Sequence, residues 1–259
     1  VSMLSAHHER GHHIRASEQW VTTPAVESHV YVDLYGNQCR RFVAPAGDIS
    51  LWGDGSIEDS GAHDAAFPAA REVAIPDLPD DCLIYLLGSR YCETDRLSQI
   101  AWDLFGHVPP GWGRVQAICD FVHDHIRFGY LDARATRTAA EAYEERIGVC
   151  RDFAHLAVAF CRCLNIPARS VNGYLGDIGV PILDPMDFSA WIEVYLDCGW
   201  VTFDPRNNTP RIGRIVVARG RDAADVPLIN SFGPHVLKSF RVWAYEITGI
   251  GSVTPPNRP

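Results

Sequence analysis

The sequence predicts an α+β fold, a helical middle followed by a block of strands, with a small β-rich region ahead of both. Two observations carry this. Apolar residues recur at helical spacing in four successive segments between Thr94 and Leu164, whereas the stretches beyond Pro167 are β-prone or alternate. Helices and strands therefore come in blocks, not in βαβ alternation, and that argues against a parallel sheet. The chain has 259 residues and is 47% hydrophobic, enough for one large domain or a catalytic domain with a smaller companion.

In chain order, residues 1–22 read as a poorly anchored tail rich in histidine and charge. Residues 23–80 read as the β-rich region. Within it, two β-prone runs flank Tyr35-Gly36-Asn37, a hairpin signal. Pro76 to Asp81 reads as a linker. A domain over 81–259 follows. Its first helix is predicted over 94–105, with Leu97, Ile100, Ala101 and Leu104 on one face. Pro109-Pro110-Gly111 breaks the chain before a second helix at 115–126. A third is predicted at 138–146 and a fourth from Cys150 to Leu164. Strands are predicted at 168–175, 188–196, 200–204, 212–218 and 236–247.

Composition excludes several functions. The net charge of −9 argues against nucleic-acid binding, and the one basic stretch (Arg211, Arg214, Arg219, Arg221) sits beside Asp222 and Asp225 and reads as ion-paired. No apolar run is long enough to span a bilayer, and the first 20 residues lack the apolar stretch of a signal peptide. The expected location is cytoplasmic, with the eight cysteines reduced. None forms a CxxC pair, so neither zinc nor a disulfide framework is expected. His7, His8, His12 and His13 read as part of the mobile tail, and His123 and His125 do not share a helix face. No metal and no cofactor is expected.

Ile147-Gly148-Val149-Cys150-Arg151-Asp152 is the most informative stretch. A thiol at a helix N-terminus feels the positive end of the macrodipole, which favours the thiolate. Amides of the first turn could hold a developing oxyanion. The helix behind Cys150 is apolar almost all round and should be buried. Cys150 therefore reads either as a nucleophile or as a buried structural thiol. Residues 188–196 alternate cleanly, with Ser189, Trp191, Glu193 and Tyr195 on one face. After a turn at Asp197-Cys198-Gly199, Asp204 falls on the returning strand, within diagonal reach of that face. Asp204 reads equally as an orienting carboxylate and as a turn residue before Pro205.

The stretches GVCRDFAHLAVAFCRCLNIPARSVNGYL and DFSAWIEVYLDCGWVTFDPRNN resemble the core of the transglutaminase-like superfamily, in its bacterial cysteine-protease-like branch. The resemblance covers about residues 112–208. It implies a papain/transglutaminase-like core in which the nucleophile helix packs on an antiparallel sheet. It also implies a Cys-His-Asp site, with Cys150 as nucleophile and Asp204 as orienting acid. The family histidine falls on Ser189, whose hydroxyl cannot act as a base near neutral pH. His235, after Gly233-Pro234, is a substitute to test, and His155 a weaker one. The implied function is thiol-dependent amide hydrolysis or acyl transfer on peptide or γ-glutamyl-type substrates. Trp191 and Tyr195 are expected on the wall of the substrate cleft. The alternative is an inactive relative that binds a peptide or protein. A metal-dependent hydrolase lacks ligand spacing.

Overall fold

A computed structural model describes residues 1–7, 14–181 and 188–247. The N-terminal region holds two separate antiparallel pairs. One joins β1 (Ile14–Thr23) to β4 (Ser50–Ile57), and the other is the hairpin of β2 (Ser28–Val32) and β3 (Gln38–Phe42). After 3-10 turns at Ile75–Asp77 and Asp80–Leu86 come α1 (Thr94–Phe105) and α2 (Trp112–His125). The short strand β5 (Arg127–Phe128) pairs in parallel with β6 (Ile147–Gly148), and α3 (Ala139–Glu145) lies between them. Thr138 caps α3 reciprocally. Its hydroxyl accepts from Glu141 N at 3.3 Å, and its own N–H donates to the Glu141 carboxylate at 3.0 Å.

The central element is α4 (Cys150–Cys163). Its run from Asp152 to Cys163 is buried throughout, because α1, α2 and α3 cover one side and a sheet covers the other. That sheet is antiparallel with strand order β10-β7-β8-β9, built from β7 (Ala168–Leu175), β8 (Phe188–Leu196), β9 (Gly199–Phe203) and β10 (Arg214–Gly220). Ala168, Ala190, Ile192, Val194, Leu196, Val201 and Phe203 join the α4 core from the sheet's inner face. Ser189, Trp191 and Glu193 fall on the other face.

Two expectations need correction. Residues 1–7 are anchored, not a loose tail: Ser2 exchanges backbone bonds with Arg40, His7 N donates to Val216 O at 2.8 Å, and Met3 joins a buried cluster with Cys39, Phe188 and Val217. Apolar burial at Met3 and Ala6 supplies what a composition of histidine and charge concealed. His8, His12 and His13 lie outside the described residues. Residues 236–247 form no strand. Their alternation is real, but they join none of the sheets formed among the described residues, and Val236, Leu237 and Ile247 stay exposed. The basic stretch is ion-paired as expected: Arg211, Arg214, Arg219 and Arg221 each pair with an acid, and Arg214 and Arg219 lie in strand β10. Among the described residues no helix is long and apolar enough to cross a membrane.

Candidate functional site

Cys150 opens α4 and is half-buried, with its sulfur 3.9 Å from the carbonyl oxygen of Phe188. That carbonyl is bonded to the nitrogen of Ser189. The thiol therefore lies against the backbone at the position where the family histidine is expected. Helix start and strand are both fixed locally. Asp152 Oδ2 accepts the Val149 N–H at 2.9 Å and an Arg137 N–H at 3.1 Å, while Oδ1 accepts from Arg151 at 3.1 Å. This buried carboxylate is a cap supplied from the third helical position. It also dictates Gly148, since a Cβ there would stand 2.7 Å from Asp152 Oδ2. Sequence reading missed Asp152 and Arg137; the acid three residues after Val149 was the available signal.

The accessibility of Cys150 sets it apart from the other thiols. Cys39, Cys82, Cys92, Cys119, Cys161 and Cys163 are buried, and only Cys198, in the β8–β9 turn, is exposed. Burial pushes the Cys82 and Cys163 thiols up to about 11 and Cys92 to about 12. The buried thiols are thus packed and kept protonated.

Ser189 stands opposite Gly173 of β7 and is buried, and among the described residues its hydroxyl has no hydrogen-bond partner. Gly173 must lack a side chain: a Cβ there would meet Ile215 O at 2.0 Å and the Trp191 ring at 2.8 Å. Asp204 follows Phe203, whose partner is Ile192, so it comes opposite Trp191 and diagonal to Ser189. Its carboxylate is fully engaged. Oδ1 accepts from Arg206 N at 3.1 Å and Asn207 N at 2.9 Å. Oδ2 accepts from Asn207 Nδ2 at 2.7 Å and Arg214 Nη2 at 2.8 Å. The turn reading of Asp204 thus holds, since its carboxylate closes the turn after β9. Arg214, unnoticed in the sequence beyond its charge, also donates from Nε to Asp64 at 2.9 Å, and its guanidinium lies 5.0 Å from the Trp191 ring centroid.

The remaining candidates fall elsewhere. Trp191 has 0% exposure and packs with Val171 and Val216, so it is core and not cleft wall. The outer face of the sheet is covered by residues 1–7 and by the Asp64 segment, which alternation along β8 could not show. Tyr195 pairs with Trp200 at the far end of β8, about 20 Å along the strand from Ser189. His235 is exposed, with Nδ1 3.2 Å from Gly233 O in its own turn. His155 is wholly buried and stacks on Tyr91, and its Nε2 accepts the Ala223 N–H at 3.0 Å. Burial, with help from Arg151, pushes its imidazole down to about 3, so it stays neutral and committed. Further along the outer face, Glu193 bonds Arg169 at 2.7 Å and Arg219 at 2.9 Å. Burial pushes its carboxyl up, but the two guanidinium groups outweigh burial and hold it below 4.5.

Comparison with known proteins bears on the family and the fold. The model of the transglutaminase-like superfamily matches residues 99–205. The crystal structure of a "Putative Cysteine Protease" from Cytophaga hutchinsonii superposes with a TM-score of 0.72 at 30% identity, over 83% of this chain and 73% of that one. An uncharacterized protein of Mycobacterium leprae is 37% identical over 216 residues, 79% of this chain and 76% of its own length. An uncharacterized protein of Mycobacterium tuberculosis H37Rv is 41% identical over 92 residues, which is 29% of its length.

Proposed function

Because this chain belongs to the transglutaminase-like superfamily, we propose that it performs thiol-dependent acyl transfer, with Cys150 attacking an acyl carbonyl to form a thioester. One observation carries the reading: Cys150 alone combines a helix N-terminus, partial exposure and contact with the backbone of the family-histidine position. A thiolate is favoured there by the helix dipole. The Asp152 and Phe153 amides donate to Val149 O, so in this proposal the oxyanion is held at the very start of the helix, by the positive end of its dipole at Cys150 and Arg151. Peptide or γ-glutamyl-type amides are the substrates the resemblance implies. Eight free thiols suit a reducing compartment, and a cytoplasmic location is part of the proposal.

The test is alkylation by iodoacetamide in a Cys198→Ser background, followed by intact mass. Selective labelling of Cys150 below pH 7 is expected. Labelling only above about pH 8.5, the range of an unperturbed thiol, would refute an activated nucleophile.

A second reading, a peptide-binding module without turnover, is favoured by Ser189 and by the engagement of Asp204 with Arg214. It predicts that Cys150→Ala leaves partner affinity unchanged while Ser189→His raises thiol reactivity.

A further inference from the structure

The reading of Cys150 as a nucleophile leaves open which bond it can break. The structure bears on this through what surrounds Ser189. In a Cys-His-Asp site the imidazole accepts a proton and later returns it to the leaving group. Here position 189 carries a buried hydroxyl with no hydrogen-bond partner among the described residues. The carboxylate diagonal to it, Asp204, has no oxygen to spare for orienting an imidazole. Its four bonds come from two backbone N–H groups, Asn207 and Arg214. Arg214 in turn is locked by Asp64 and lies over Trp191. The charged pair beside the family-histidine position is thus Arg–Asp. A guanidinium keeps its proton at any physiological pH. This pair supplies fixed charge and geometry, not a transferable proton.

Leaving groups differ sharply in what they ask of such a site. An amide must expel an amine, and that nitrogen has to be protonated as the bond breaks. A thioester expels a thiolate whose conjugate acid has a pKa of about 8.5, and it departs unaided. We infer that the acyl donor at Cys150 is a thioester and not an amide, an inference that rests on the reading of Cys150 as nucleophile. The step balances without a protein acid. The Cys150 thiolate adds to the carbonyl carbon, forming a C–S bond and an oxyanion. The oxyanion collapses and breaks the bond to the departing sulfur, which takes the electron pair and later a proton from water. The acyl group, now a thioester on Cys150, passes to water or to an amine. Cys150 leaves as thiolate, again needing no proton, and the proton lost by the attacking water or amine goes to solvent.

The experiment uses the full chain carrying Cys198→Ser, with Cys150→Ser added as control. N-acetylcysteamine thioesters of acetate, benzoate and an N-acetylglutamyl γ-carboxyl are compared with the p-nitroanilides of the same acids. Intact mass reads the acyl adduct on Cys150, and thiol or nitroaniline release reads turnover. The expected result is an adduct from thioesters that Cys150→Ser abolishes. The thioester should also exceed its anilide in kcat/KM by at least about a hundredfold beyond their ratio in buffer, the low end of what a positioned proton donor contributes. The pH profile should show one rising ionisation. The inference is overturned by comparable turnover of an anilide, by a bell-shaped profile whose falling alkaline limb reports a required proton donor, or by no adduct from any thioester. Iodoacetamide labelling separates the failures. Selective labelling of Cys150 with no thioester adduct removes this inference alone, and no selective labelling removes the nucleophile as well.

Discussion

Acidification should destabilise this protein through His155 well before its carboxylates titrate. The ring is wholly buried, stacks on Tyr91 at 5.3 Å, and uses Nε2 to accept the Ala223 N–H. Its pKa falls from 6.5 to about 3 on folding. Between those values the unfolded chain binds a proton that the native chain refuses, so stability rises with pH across that window and is lost as pH falls through it. From pH 7 to pH 5 the loss from this one group amounts to about 2 kcal/mol. For a chain of this size that corresponds to roughly 4–8 °C in Tm. His155→Gln keeps an acceptor for Ala223 N–H but has nothing to titrate. It should start less stable at pH 7 and lose about 2 kcal/mol less on going to pH 5. Urea denaturation of both proteins at the two pH values measures the difference. If the pH 7-to-5 loss is the same in His155→Gln, the imidazole is not held neutral and the argument fails.

Two further outcomes follow from the outer face of the sheet. Glu193→Gln removes the buried charge that two half-buried guanidinium groups share, and breaking such a network should cost up to about 3–5 kcal/mol in denaturant titrations; a loss below about 1 kcal/mol would mean the pairs are solvated. Gly173→Ala would set a methyl 2.0 Å from Ile215 O, so β10 must move away from β7 at a cost of about 1–3 kcal/mol or more. Gly113→Ala, a helical site with nothing within 4 Å, should raise Tm instead, and opposite signs for the two substitutions are the check.

Local pattern carried far in this sequence where one element decides its own neighbours. The α1 range of 94–105 and the β7 and β8 ranges of 168–175 and 188–196 agree residue for residue with their prediction. Each has strong periodicity and a Pro, Gly or capping residue near its ends. Residues 236–247 alternate just as well and form no strand among the described residues, since a strand needs a continuous ladder to a second backbone and alternation does not specify one. The same limit applies to the site. Alternation placed Ser189, Trp191 and Glu193 on one face, but whether that face is solvent or interior depends on residues 1–7 and Asp64, which come from distant parts of the chain. Arg214 could be read as ion-paired from its surroundings in sequence; that its partners are Asp64 and Asp204 required the tertiary structure.

Asp204 shows why a motif match and a working site are separate claims. Its position agrees with the family's orienting acid, yet every bond it makes has a reason independent of catalysis. Two backbone N–H groups and the Asn207 amide make it the closing residue of the turn after β9, ahead of Asn208, whose φ of 50° is left-handed. Arg214 makes it half of a buried ion pair whose guanidinium would be left short of a counter-charge by its removal. An aspartate is therefore required here whether or not a histidine ever faces it. The diagnostic position is Ser189, whose hydroxyl makes no hydrogen bond among the described residues and so meets no structural demand there. A residue free of structural demand is the one that chemistry alone would fix. Its identity argues that proton transfer from this place is not what the thiol of Cys150 relies on.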